Sequence, residues 1–247
     1  MGRVRRLLHA PRTVRGWLIS SLVALVVVGG AGYGVFAVVA GGSSPAPLSL
    51  SPSNSSGTGT AQPAISHVAG TWSVGTGSVA GYRVHEKLAV LPAPSDAVGR
   101  TSDVTGTATV VNSGGGHSVS AADFTVQVST LSSDRAMRDQ RVHTLGLQTD
   151  TYPTATFKLA QPITLPASAT SGQAVRVTAT GALTMHGVTK TVSIPLDLRL
   201  SGSSFEVVGS INFPWSEFGM TAPNFGSFVT VADTATMELD LKFTRTA

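Results

Sequence analysis

From residue 71 onward, apolar and polar residues alternate one by one in short runs. That period of two marks a strand with one face in a core and the other in water. In "GYRVHEKLAV", Tyr82, Val84, Leu88 and Val90 share a face opposite Arg83, His85 and Lys87. In "DVTGTATVV", Val104, Gly106, Ala108 and Val110 lie opposite threonines. In "DFTVQVS", Phe124, Val126 and Val128 oppose Thr125, Gln127 and Ser129, and "TATFKLA" sets Ala155, Phe157 and Leu159 against Thr156 and Lys158. The longest rows follow. Val175, Val177, Ala179, Gly181, Leu183 and Met185 form one; Val188, Val192, Ile194, Leu196, Leu198 and Leu200 form the next. Rows from Phe205 to Phe213 and from Ala235 to Phe243 bring the total to about eight antiparallel strands.

Only His186 and Gly187 separate the two longest rows. Glycine supplies the positive φ of a tight hairpin. A zinc site needs three or four ligands, and no His or carboxylate stands near His186 at a suitable spacing. His67, His85, His117 and His143 are scattered over linker, strand and loops. His186 therefore reads as a turn residue.

The stretch "SDRAMRDQRVHTLGL" breaks the alternation, and Ser133 or Asp134 can cap a short helix there. Asp134, Arg138 and Asp139 form a candidate ion-pair cluster. It either locks the helix against the end of the sheet or turns Arg138 toward the polar head of a ligand. Asp96, Arg100 and Asp103 read as charges on a solvated loop. Trp215, Phe218, Phe225 and Phe228 either pack loops or rim an entrance.

Strands joined by short turns build a sandwich or an up-and-down barrel; periodicity admits both. The inward rows mix bulky residues with Gly106, Ala108, Ala155, Ala179, Gly181, Gly209 and Ala235. In an eight-stranded barrel these either leave room for one small ligand or receive bulky neighbours in a filled core. In the first case Tyr82, Phe124, Phe157, Leu183, Ile194 and Met237 line one continuous apolar cavity.

Charge and composition narrow the function. The pI of 9.9 and net charge of +4 suggest a nucleic-acid binder. Yet Arg3, Arg5, Arg6, Arg12 and Arg15 all precede residue 17, and without them the net charge falls to −1. No basic stripe remains for phosphates. The chain has no cysteine, which excludes disulfides, thiolate metal sites and cysteine nucleophiles. No serine sits in a G-x-S-x-G context. We therefore expect a binding protein and not an enzyme, with no cofactor and no metal.

Residues 17–40 carry no charge, and 24 residues are enough to cross a bilayer as a helix. The arginines before them keep residues 1–16 in the cytoplasm as a basic tail and export the rest. A cleaved signal peptide ending at Ala40 is the rival reading. Residues 41–70, rich in Ser, Gly and Pro, read as a disordered tether. The expected product is a single-pass protein of the cell membrane with an extracytoplasmic domain at 71–247.

Several motifs occur in order at a recognisable spacing: "DRAMRDQRV", "TYPTATFKL", "VTATGALTMHGVTKTVSIPLDL", "INFPWSEFGM" and "ELDLKF". Together they resemble the YceI-like family. The resemblance covers most of residues 71–247 and implies an all-β, eight-stranded, lipocalin-like antiparallel barrel with a short helical segment. It also implies an exported binding protein that is not an enzyme, holding a polyprenyl lipid or isoprenoid quinone in its lumen. Residues placed at that ligand are Tyr82, Val84, Phe124, Val126, Phe157, Leu183, Ile194 and Met237, with Arg138 at the head group. The alternative is an envelope structural or interaction module with a filled barrel. The chain departs from the family's pattern in Arg141, which stands where a His often follows the Arg-Asp pair, in the polar opening strand "GYRVHEKL" and in the insertion "LPAPSDAVGRTSDV".

Overall fold

A computed structural model describes residues 44–52, 68–89, 93–201 and 203–246. The expected basic tail and membrane helix lie outside these residues. Among the described residues no helix is long and apolar enough to cross a membrane.

The strand segments are β1 (Gly70–Val74), β2 (Val79–Leu88), β3 (Ser95–Thr101), β4 (Val104–Ser113), β5 (Gly116–Gln127), β6 (Thr154–Leu159), β7 (Ile163–Leu165), β8 (Val175–Met185), β9 (Val188–Ser201), β10 (Ser204–Pro214), β11 (Val229–Val231) and β12 (Thr234–Arg245). Among the described residues one α-helix, α1 (Ala136–Arg141), follows β5. Register shows that several segments are pieces of one strand. β12 pairs with β2, Thr236 opposite Arg83 and Asp240 opposite Val79, and then with β1, Phe243 opposite Val74. So β1 and β2 are a single strand interrupted at residues 75–78. The Ser78 hydroxyl bridges that break, donating to Gly75 O (2.8 Å) and accepting from Lys242 N (2.9 Å). β3 and β4 continue each other along β2 and β1, β6 and β7 along β5, and β11 and β12 along β2. Eight antiparallel strands result, each beside its neighbour in sequence, and the last closes on the first. Closure leaves the described strands with few free edges, as at β3 and β7, which pair on one side only.

The hairpins obey local chemistry. His186 and Gly187 join β8 to β9 with φ of 53° and 74°, the geometry of a two-residue turn that follows the strand twist. His186 is thus a turn residue, and its ring also binds neighbouring loops. Its nitrogens contact Phe218 O (3.2 Å) and Gln148 Oε1 (3.1 Å), and Tyr152 packs on it. One barrel end carries this turn, α1, the β2–β3 connection and residues 215–228. The other carries the β4–β5 and β9–β10 hairpins and the C-terminus.

Three expectations need correction. First, "SDAVGRT" is a strand and not a solvated loop. Ala97 and Val98 are buried, Asp96 pairs with Arg83 at 3.0 Å, and Arg100 pairs with Glu238 at 2.8 Å. Second, Arg135 and not Ser133 or Asp134 takes the N-cap position of α1. The Ser133 hydroxyl is engaged elsewhere, donating to Asp139 (2.6 Å) and accepting from Arg135 N (3.2 Å). Third, residues 44–52, expected inside a free tether, lie along the outer face of the barrel. Arg83 donates to Pro45 O (2.7 Å), Arg100 to Ala46 O (2.6 Å) and Arg199 to Ser51 O (2.5 Å). Ser51 donates through its main-chain N–H (2.9 Å) and hydroxyl (2.5 Å) to Glu206. Arginines on an outer face offer donors that match the free carbonyls of an extended chain. The ordered domain also begins before residue 71, since Val68 is buried and accepts the Trp72 indole N–H at 3.0 Å.

Candidate functional site

Inward rows from all eight strands meet in a lumen. Phe124, Val126, Phe157, Leu183, Ile194 and Met237 all line one cavity of about 130 Å³. Its wall is apolar except for Thr156 and Glu238. The Glu238 carboxylate is taken up by Arg100. At the end away from α1, Trp72 packs edge-on against Phe205 at 4.4 Å and closes the floor. The alternation at β1 is too short to announce Trp72, so the sequence reading missed it.

The small inward residues do not all leave open space. A Cβ on Gly181 would come within 2.5 Å of the Phe157 ring, and one on Gly106 within 2.5 Å of the Phe124 ring. Gly209 receives Leu196 in the same way. These glycines are seats for bulky neighbours, as in the filled-core reading, while Ala155, Ala179 and Ala108 border the space that remains.

Tyr82, Val84 and Arg138 lie elsewhere than expected. They line a second cavity of about 420 Å³ under α1, with Glu86, Val142, Trp215 and Val231. Tyr82 and the lumen residue Met237 are partners across the β2–β12 pairing, so the two cavities adjoin there. The expected single cavity is therefore two, stacked along the barrel axis. Glu86 ties Arg138 to the upper cavity. It follows Tyr82 and Val84 on the same face, and its carboxylate draws Arg138 down from the helix. Arg138 also binds Asp134 and donates to Ser133 Oγ at 3.2 Å. Burial alone would weaken the Arg138 charge; its bonds to Glu86 and Asp134 outweigh that and hold it more firmly protonated than a free arginine. An acid on an otherwise apolar row is the signal that would have found Glu86.

The Tyr82 hydroxyl is buried with no hydrogen-bond partner. Burial pushes its ionisation well above the ordinary range, Arg138 opposes the shift, and the acids Asp139, Glu86 and Asp134 add to it. Tyr82 is thus a neutral donor and acceptor at the junction of the two spaces. Among the described residues no three His, Cys, Asp or Glu side chains are grouped to hold a metal.

The fold and lumen are those of a lipocalin-like barrel with closed walls. The family model of the YceI-like domain matches residues 61–243, and the chain belongs to that family. A solved polyisoprenoid binding domain from Saccharophagus degradans, implicated in plant cell wall breakdown, is 16% identical with a TM-score of 0.55, over 72% of this chain and 99% of its own. BcnA from Burkholderia cenocepacia is 23% identical with a TM-score of 0.47, over 66% of this chain and 95% of its own. A Campylobacter jejuni YCEI protein is 13% identical with a TM-score of 0.40, over 57% and 81%. No curated protein matches the chain.

Proposed function

We propose that this chain is a membrane-tethered, extracytoplasmic lipid-binding protein that holds an isoprenoid chain in its lumen and is not an enzyme. The observation that carries the reading is an apolar lumen with a closed floor, adjoining a cavity that holds one unpartnered hydroxyl. Membership of the YceI-like family and the fold shared with a polyisoprenoid binding domain support it. Each buried methylene contributes about 0.8 kcal/mol, so one five-carbon unit contributes about 4 kcal/mol. A cavity of about 130 Å³ is the size that admits a benzene-like guest. A longer chain enters when Phe124, Phe157 and Leu196 lift from their glycine seats. The head group, of a polyprenyl lipid or isoprenoid quinone, sits at Tyr82; Arg138 is already neutralised by Glu86 and Asp134. The N-terminal segment 17–40 anchors the chain with residues 1–16 in the cytoplasm.

Native mass spectrometry of the gently purified full chain tests the ligand. One co-purifying lipid per chain is expected, and a clean protein mass would favour the envelope module with a filled barrel. Protease added to spheroplasts tests the topology. It should digest residues 71–247 and spare the tail, whereas a secreted form starting near Gly41 would show a cleaved signal peptide.

A further inference from the structure

The barrel end that carries α1 also carries most of the large exposed apolar side chains. Met137 is 67% and Phe228 64% exposed, and Leu145 and Phe225 are also exposed. The Phe225 and Phe228 rings lie 6.3 Å apart, and the Arg141 guanidinium sits 3.8 Å from the Phe225 centroid. Met137 and Arg141 line the upper cavity, so this rim borders it on the α1 side. Aromatic rings beside an arginine suit the boundary between acyl chains and head groups, where an apolar body and a polar tip are both satisfied.

A second observation gives the rim its occupant. The outer-face segment begins at this same end. Ser44 Oγ donates to Asp96 O at 2.6 Å and accepts from Asp96 N at 3.1 Å, at the start of β3. From there the segment runs down the barrel to Ser51, which meets Glu206 and Arg199 near the opposite end. The apolar segment 17–40 ends at Ala40, so only residues 41–43 separate it from Ser44. Four Cα–Cα steps reach at most about 14 Å. The thirty-residue tether expected from composition is therefore short-circuited by its own first part.

We propose that the α1 end of the barrel rests on the outer surface of the lipid bilayer, held there by residues 44–52, with Met137, Leu145, Phe225 and Phe228 in the interface. The apolar ligand then passes between bilayer and upper cavity without crossing water. This rests on the reading of 17–40 as a membrane span, and the test separates the two. The chain has no cysteine, so a single one labels cleanly. Full chains carrying Phe228→Cys or Met137→Cys, and Ser113→Cys at the far end, are labelled with a polarity-sensitive fluorophore in vesicles containing brominated lipid. Labels at 228 and 137 should be quenched several-fold more than the label at 113. With the label at 137, Phe225→Ser combined with Phe228→Ser should lower the docked-to-undocked ratio by about tenfold or more. Equal quenching at both ends, on a chain that stays with the vesicles, overturns the docking and leaves the anchor standing. A blue-shifted label at 228 that bromine does not quench also overturns it, since a second copy then covers the rim. Alkaline carbonate washing reads the anchor alone: release of the chain overturns the membrane span whatever the labels show.

Discussion

The lumen and the cavity above it are built from the same rows of inward residues, yet they are chemically unlike. The lower space is walled by Phe, Leu, Ile, Val and Ala and closed by Trp72. The upper space holds Tyr82 with a free hydroxyl and the Glu86–Arg138 pair beneath α1. An apolar wall recognises a chain by area alone and tolerates variation in length. A buried hydroxyl without a partner is costly in the empty protein and rewards one particular polar atom. Under the proposed function the lower space sets how much is bound, and the upper space sets which end of the ligand lies where.

Breaking the upper space should have the largest effect on stability. Glu86→Gln leaves the Arg138 guanidinium buried beside a neutral amide, and removal of one partner from a buried pair costs about 3–5 kcal/mol. Asp134 still faces Arg138, so the lower end of that range is expected in chemical denaturation. Replacing both partners together, Glu86→Leu with Arg138→Met, should recover most of the loss.

The lower space separates two kinds of small residue. Gly181→Leu drives a side chain into the Phe157 ring and the Lys158 carbonyl of the adjoining strand, and should unfold more than it unbinds. Its cost should reach or exceed the roughly 1–3 kcal/mol typical of overpacking. Ala179→Leu points into open cavity. It should keep the melting temperature within a few degrees of the parent while cutting bound lipid several-fold. Calorimetry beside lipid quantification distinguishes the two variants.

Tyr82→Phe sharpens the contrast further. It removes a buried hydroxyl that has no partner, so the empty protein should gain up to about 1 kcal/mol. The loaded protein should lose affinity by a similar amount if the head group bonds to that hydroxyl. Opposite signs in empty and loaded melting curves are the expected result.

The outer face offers the smallest effect. Burial raises the Glu206 carboxyl, but its bonds from Ser51 and Arg199, with Lys242 nearby, outweigh this and hold it below the ordinary carboxylate range. Stability from an acid with a depressed value is fully present above its unfolded value, about 4.3. It is lost as pH falls through the folded one. Release of residues 44–52, read by hydrogen exchange, should therefore begin below about pH 4 and start at higher pH in Ser51→Ala.

The eight strands were legible because their period-two rows are long and a turn such as His186–Gly187 carries its own signal, while the choice of barrel over sandwich came from the family resemblance and not from periodicity. The lumen set Phe124, Val126, Phe157, Leu183, Ile194 and Met237 followed from row membership alone. What stayed hidden depends on partners far apart in sequence. Arg138 reads as either a helix lock or a ligand contact until Glu86, 52 residues earlier, is seen to hold it. Residues 44–52 read as free because their bonds go from side chains of distant strands to their own carbonyls, which no composition reveals. Glu238 alternates as a solvent-facing residue, yet only 3% of its side chain is exposed, because Arg100 and Arg83 close over it.

The central claim is that the lower lumen holds an isoprenoid chain, and the most direct measurement compares lipids extracted from the gently purified full chain and from Ala179→Leu. Mass spectrometry of the extracts should find one prenyl lipid per parent chain and several-fold less in the variant, at matched folding by circular dichroism. Equal amounts of prenyl lipid in both extracts, or none in the parent, would contradict the account.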